Sequence, residues 1–245
     1  MGKITMKLLF NLLLAAIGSV IAFSLIVIFI LTPLMQWYSE NKPPIGSSID
    51  DHFIRIQGIK PADAQVIAHA TFYGGGEECS SFFWSASDGK KRQGGKGVFK
   101  IEHDFSTTAD RYELRIPYQN YLSSGCDMQL WQITIGARNA FDTVGFADLR
   151  IYKPANEWNK ALSFDAIIEA RQCNSFIHQW KDNTWSGGLG CYFYFDGQKI
   201  SEKPEYNAGQ VYFDFSQFND DTVIHYDILA GENYRSESLD PQTGK

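Results

Sequence analysis

Between Leu8 and Ser39 the sequence has no charged residue. No acid occurs before Glu40 and no cysteine before Cys79. A globular surface cannot be made from such a stretch. Its centre, Leu12 to Leu31, is apolar except for Gly18, Ser19 and Ser24. Twenty helical residues rise about 30 Å, the hydrocarbon thickness of a bilayer. Other absences narrow the function. There is no Cys-x-x-Cys, which speaks against zinc ribbons and thioredoxin-like chemistry. There is no His-Glu-x-x-His, no Gly-x-Ser-x-Gly and no P-loop spacing in Gly94-Gly95-Lys96-Gly97 or Gly74-Gly75-Gly76. The five histidines, His52, His69, His103, His178 and His225, have no ligand partners at metal spacing. We therefore expect no metal, no cofactor and no catalytic residue. Asn-x-Ser/Thr is also missing, which favours a bacterial periplasm over a eukaryotic surface.

What is present begins with the helix. Residues 1–7 form a short basic head with Lys3 and Lys7, residues 8–38 an uncleaved transmembrane anchor, and 39–48 a linker. A signal peptide has a shorter apolar core and a small-residue cleavage site, and Thr32-Pro33-Leu34-Met35-Gln36-Trp37 offers none. Lys3 and Lys7 before the span, against Glu40, Asp50 and Asp51 after it, put the N-terminus in the cytoplasm. Trp37 and Tyr38 mark the outer interface. Ala15/Ser19 and Gly18/Ala22 are small pairs four apart, which suits a homodimer through the helix. The linker is stiffened by Pro43-Pro44 and loosened by Gly46-Ser47-Ser48.

Beyond the anchor lie all 28 acids and 20 of the 22 Lys and Arg (all but Lys3 and Lys7), a net charge near −8. That balance argues against nucleic acid as a partner. The four cysteines, Cys79, Cys126, Cys173 and Cys191, all fall here. An even count in an exported segment predicts two disulfides. Pairing within each half gives Cys79–Cys126 and Cys173–Cys191.

Landmarks recur in order about 94 residues apart. Lys60-Pro61-Ala62 returns as Lys153-Pro154-Ala155, Cys79-Ser80-Ser81-Phe82 as Cys173-Asn174-Ser175-Phe176, and Gly94-Gly95-Lys96-Gly97 as Gly187-Gly188-Leu189-Gly190. The intervening runs alternate apolar and polar, as half-buried strands do: His52–Ile56, Val66–Phe72, Tyr112–Ile116, Val211–Phe215 and Val223–Leu229 among them. Asp88-Gly89 and Asp196-Gly197 read as hairpin turns. The expectation is an all-β exported part made of two tandem antiparallel β-sandwiches of Ig-like architecture, 49–146 and 147–245. The polar stretch Glu232 to Lys245 reads as frayed, and Trp84, Trp131 and Trp158 as core.

Two stretches stand out as contact surfaces. Lys90-Lys91-Arg92, with Lys96, is a basic cluster in an acidic domain. Trp180 to Trp185 is an aromatic loop with polar residues between its two tryptophans. With no catalytic signature, the layout implies binding of a protein partner by an inner-membrane protein whose domains face the periplasm. Its sharpest form is an immunity protein that neutralises a periplasm-acting toxin or effector. The alternatives are an envelope or secretion-machinery assembly component and a cell-wall glycan binder.

Overall fold

A computed structural model describes residues 2–85, 88–206 and 209–245, the side chains of 2–10, 36 and 38–41 excepted. Lys3, Lys7, Tyr38 and Glu40, which carry the orientation argument, lie outside the described side chains. The chain divides into two compact units at Pro44/Ile45.

The first unit is helical: α1 (Gly2–Ile26), a π turn (Val27–Leu31) and α2 (Thr32–Asn41). Within it Asn11–Met35, with a mean hydropathy of 2.8, is long and apolar enough to cross a membrane. The π turn has a local cause. Pro33 lacks the N–H that Phe29 would bond, and its ring would strike that carbonyl. Widening the preceding turn relieves the clash, and the Thr32 N–H and hydroxyl both bond Val27 O, the latter at 2.9 Å. Ser19 and Ser24 likewise satisfy their hydroxyls within the helix, on Ala15 O and Val20 O, so neither leaves an open donor on the apolar surface.

The second unit is β: β1 (Phe53–Ile59), β2 (Gln65–Gly75), β3 (Phe82–Trp84), β4 (Lys91–Gln93), β5 (Gly95–Ile101), β6 (Arg111–Pro117), β7 (Tyr121–Ser123), β8 (Cys126–Arg138), β9 (Phe146–Tyr152), β10 (Ile167–Gln179), β11 (Trp185–Phe195), β12 (Gln198–Lys199), β13 (Gly209–Tyr212) and β14 (Val223–Ala230). Sheet A runs β12-β11-β10-β14-β1-β6. Sheet B runs β13-β9-β8-β2-β5, with β7 added to β8, and β3·β4 forms a separate ribbon. Both sheets are mixed, because β1·β14, β10·β14 and β9·β13 are parallel pairs.

This corrects the expected pair of tandem antiparallel sandwiches. Strands of the first half, β1 and β6, complete the sheet of the second, and β9 and β13 complete the sheet of the first. One continuous core joins Ile54, Leu114, Ile168, Ile224 and Tyr226 of sheet A to Ala70, Phe72, Ile133, Ile135 and Leu149 of sheet B. The boundary expected at residues 146/147 falls inside β9, a strand of sheet B. Each half has one long hairpin, β2·β5 or β10·β11, with one apolar face. A face of that size needs a second sheet over it, and one half supplies too few strands to make both layers. The repeated landmarks mark these two hairpins and not two modules. Even there the plan diverges, since β8 is antiparallel to β2 while β14 is parallel to β10. The recurring glycines also differ in cause. Gly94 turns at φ +143°, whereas Gly187 is extended and an added Cβ would stand 2.5 Å from the Phe141 ring.

Tyr226 ties the layers together. It accepts on its carbonyl from the Tyr112 hydroxyl at 2.6 Å, and its own hydroxyl donates to Ala147 O across the core. Burial pushes both phenols well above the usual tyrosine range.

The cysteines pair as expected, Cys79–Cys126 and Cys173–Cys191. The tail does not fray. Tyr234 and Leu239 pack against the core, the Asn139 side-chain amide donates to Tyr234 Oη at 2.8 Å and to Arg235 O at 2.9 Å, and Trp185 N–H donates to Pro241 O at 2.8 Å. Two apolar anchors in a polar stretch were enough to hold it.

Candidate functional site

The outer faces of the two sheets differ in chemistry. On sheet A, charges close on one another: Arg115 on Glu113 at 2.9 Å and Arg171 on Glu169 at 2.5 Å. On sheet B Glu102 likewise meets Lys100 at 2.6 Å and Arg138 at 3.3 Å, but the other outward positions carry aromatic and amide groups. Strand alternation puts Tyr73 of β2, Tyr152 of β9 and Tyr212 of β13 on this face. Trp131 joins them. Between Phe72↔Leu130 and Thr71↔Gln132 the register of β8 slips by one residue, and Trp131 is the extra residue. A bulge of this kind leaves the extra residue without a ladder partner. Trp131 continues the outward positions of Asp127 and Gln129, is 58% exposed, and its ring meets Tyr73 edge-on with centroids 6.1 Å apart. It lines a cleft of about 250 Å³ with Tyr152, Tyr212, Lys153, Asn159 and Gln210.

The excursion between β2 and β5 carries the β3·β4 ribbon. Cys79–Cys126 pins its base to β8. The ribbon pairs Phe83 with Arg92 and Trp84 with Lys91. Phe83 turns inward on Tyr73, 5.3 Å between centroids. Phe82 and Trp84 point out, and Lys91 Nζ sits 4.4 Å over the Phe82 ring. Lys96, on the adjoining β5, lies 5.6 Å over Tyr73. Arg92 is engaged by Asp88 at 2.7 Å, and the hydrogen bonds from Ser85 and Arg92 hold that carboxyl below its ordinary range. Lys90, Lys91 and Arg92 thus lie on or next to a solvated ribbon, and Lys96 lies on the adjoining β5 over Tyr73.

The second predicted site is elsewhere. Trp180 and Trp185 sit at the tip of β10·β11, beyond Gly187 and Gly188, which pack on Phe141 and Asp142 of the β8–β9 loop. The ribbon lies at the other end of β8, about 40 Å of strand away. Trp180 is 55% exposed and donates from Nε1 to Ser186 Oγ at 2.8 Å. Trp185 is half-buried under the tail at Gly244.

No protein family, curated protein or solved structure matches this chain. The site is therefore read from its own geometry.

Sequence reasoning assigned Trp84, Trp131 and Trp158 to the core, and all three are exposed. For Trp131 a signal was there. Leu130 and Ile133, both inward, are separated by two residues instead of one, which breaks the alternation as a bulge does. Among the described residues no cluster of three metal-ligating side chains occurs. A second hollow on sheet B, about 380 Å³, holds His69 and Asp148. Burial raises the Asp148 carboxyl, with Arg150 opposing and Asp142 adding to it. Burial and Lys100 lower the His69 imidazole. Both shifts favour the neutral forms. The hollows on sheet A, about 510 and 470 Å³, flank His225 of β14 and are open grooves.

Proposed function

We propose that this chain is a single-pass membrane protein, anchored by its N-terminal helix in a bacterial inner membrane with the N-terminus cytoplasmic, whose periplasmic β unit acts by binding a protein partner and not by catalysis. Two disulfides suit an oxidising compartment. The observation that carries the reading is the β3·β4 ribbon. A ribbon fixed at its base by a disulfide presents Phe82, Trp84, Lys90 and Lys91 together, and its inner side is seated on Tyr73. Exposed aromatic and basic side chains on a rigid support are what protein interfaces use as anchors. Trp180 is a separate contact at the far end, and Trp185 serves as a cap. The most specific form is an immunity protein that occludes the site of a toxin or effector acting in the periplasm, with the ribbon as the occluding element. Homodimerisation through Ala15, Gly18, Ser19 and Ala22 would double the presented surface.

The test is co-purification of the full detergent-solubilised chain with products of adjacent genes, repeated with Lys90→Glu, Lys91→Glu and Arg92→Glu combined. A stoichiometric complex weakened at least about tenfold by the reversal supports the reading. An unchanged complex would show the ribbon to be ordinary solvated surface. Deleting the gene without loss of protection against the toxin would end the immunity form.

A further inference from the structure

We infer that the cleft on the outer face of sheet B is a subsite for one ring of a glycan chain of equatorially substituted sugars, with Trp131 as its stacking platform. The first ground is how Trp131 gets there. Regular alternation would leave one outward residue between Leu130 and Ile133, and the bulge supplies two, Trp131 and Gln132. Trp131 is outward by the alternation of Asp127 and Gln129, and the bulge leaves it without a partner on β2 and sets Gln132 beside it, so an exposed indole and an amide lie together on one face.

The second ground is the company it keeps. Tyr152 and Tyr212 are directly paired across β9·β13, their rings 6.3 Å apart and tilted by 37°. With Trp131 they make aromatic walls on an open trough. The remaining lining is Asn159, Gln210, Lys153 and Ala155, and among the described residues no carboxylate lines it. Amides offer both donors and acceptors. A ligand matched to this lining has an apolar ring face and a rim of hydroxyl or acetamido groups, which the amides and the Lys153 ammonium can meet. Sugars with equatorial substituents have that form: axial C–H bonds make the face, and hydroxyls make the edge. The positive rim of such a face is drawn to the negative face of an aromatic ring. A cleft of about 250 Å³ takes a single ring.

This inference shares only the exported placement with the protein-binding reading, because trough and ribbon can be changed separately. The test uses the full chain in phosphatidylcholine nanodiscs, since maltoside detergents would compete, titrated calorimetrically with chitotetraose. Saturable binding by the native protein is expected, weakened at least about tenfold in Trp131→Ala and in Tyr212→Ala and largely kept in Trp131→Phe. Trp131 is exposed and Tyr212 half-buried, so thermal melting of the three variants will certify the fold. No saturable heat at roughly 10 mM sugar, or equal affinity in Trp131→Ala and native, overturns the subsite. The co-purification above reads the ribbon independently of either result.

Discussion

Sheets A and B are built around matching hairpins and finish them in opposite ways. In sheet A, the β10·β11 hairpin carries its disulfide inside the ladder, its tip is covered by the C-terminal tail, and its outer charges are paired. In sheet B, the β2·β5 hairpin is opened by an excursion of residues 76–94 that is tied to a third strand, and its outer face shows aromatic rings to solvent. The lesson is that a shared core tolerates one finished face and one unfinished face. The interior of the sandwich needs only the apolar positions of both hairpins. What the outer face does is decided by residues that contribute little to folding, such as Trp131 on sheet B and Trp84 on the separate ribbon.

The largest effect should come from cutting the two staples separately. Cys79–Cys126 closes a span of 47 residues and Cys173–Cys191 one of 18. In the chain-entropy account these stabilise by about 4 and about 3 kcal/mol. Replacing each pair by serine should lower stability in that order. It should also separate the sheets by locality. Loss of the first should speed hydrogen exchange across 76–94, whereas β10·β11 keeps its ladder on both sides of the second. Equal, global loosening in both variants would mean that the excursion is held by Phe83 and Tyr73 and not by its disulfide.

The elements of this contrast were unevenly legible in the sequence. The helix, the disulfide pairing and many strands follow from local pattern: an uncharged run, an even cysteine count, alternation. Partner strands do not. Arg55 pairs with Val223, 168 residues away, and period-two alternation says that a strand has a buried face without saying which strand lies beside it. That is why one interlocked sandwich was read as two. The basic ribbon was visible as Lys90-Lys91-Arg92, because charge density survives without a fold. The aromatic cleft was not, because Trp131, Tyr152 and Tyr212 lie far apart in the chain and meet only through β8·β9·β13. The tail was misread because its polar composition hides two anchors, Tyr234 and Leu239.

The tail gives the intermediate effect and tests whether sheet A's tip is truly closed. Tyr234 donates to Asp63 at 3.0 Å and meets the Asn139 amide, and burial beside Asp63 drives its phenol far above the ordinary tyrosine range. Tyr234→Phe keeps the ring and strands those partners, which should cost about 1–2 kcal/mol. Ending the chain at Gly231 should cost more and should shift tryptophan emission to the red as Trp185 becomes wet. Emission unchanged on truncation would show that Trp185 is buried by its own hairpin, and the two tips would then differ less than described.

The smallest effect concerns Asp148, on the unfinished face. Unlike Glu113 and Glu169 of sheet A, it has no salt bridge among the described residues, and burial raises its pKa. A carboxyl whose folded pKa is raised binds its proton more readily folded than unfolded. Its favourable contribution is complete below the unfolded value near 3.9 and is lost as pH rises through the folded value, so at neutral pH the ionised group is a burden. Asp148→Asn should therefore be more stable than the native protein at pH 7, by at most about 1 kcal/mol because solvent screens the open side of the hollow. The gain should vanish near pH 3.5. His69 works in the other direction. Its lowered pKa leaves a contribution that is present above about 6.5 and lost as pH falls, but it is common to both proteins and cancels in the difference. Denaturant midpoints at the two pH values decide it. If asparagine destabilises at pH 7, attraction to Arg150 outweighs burial, and sheet B's charges are as well matched as those of sheet A.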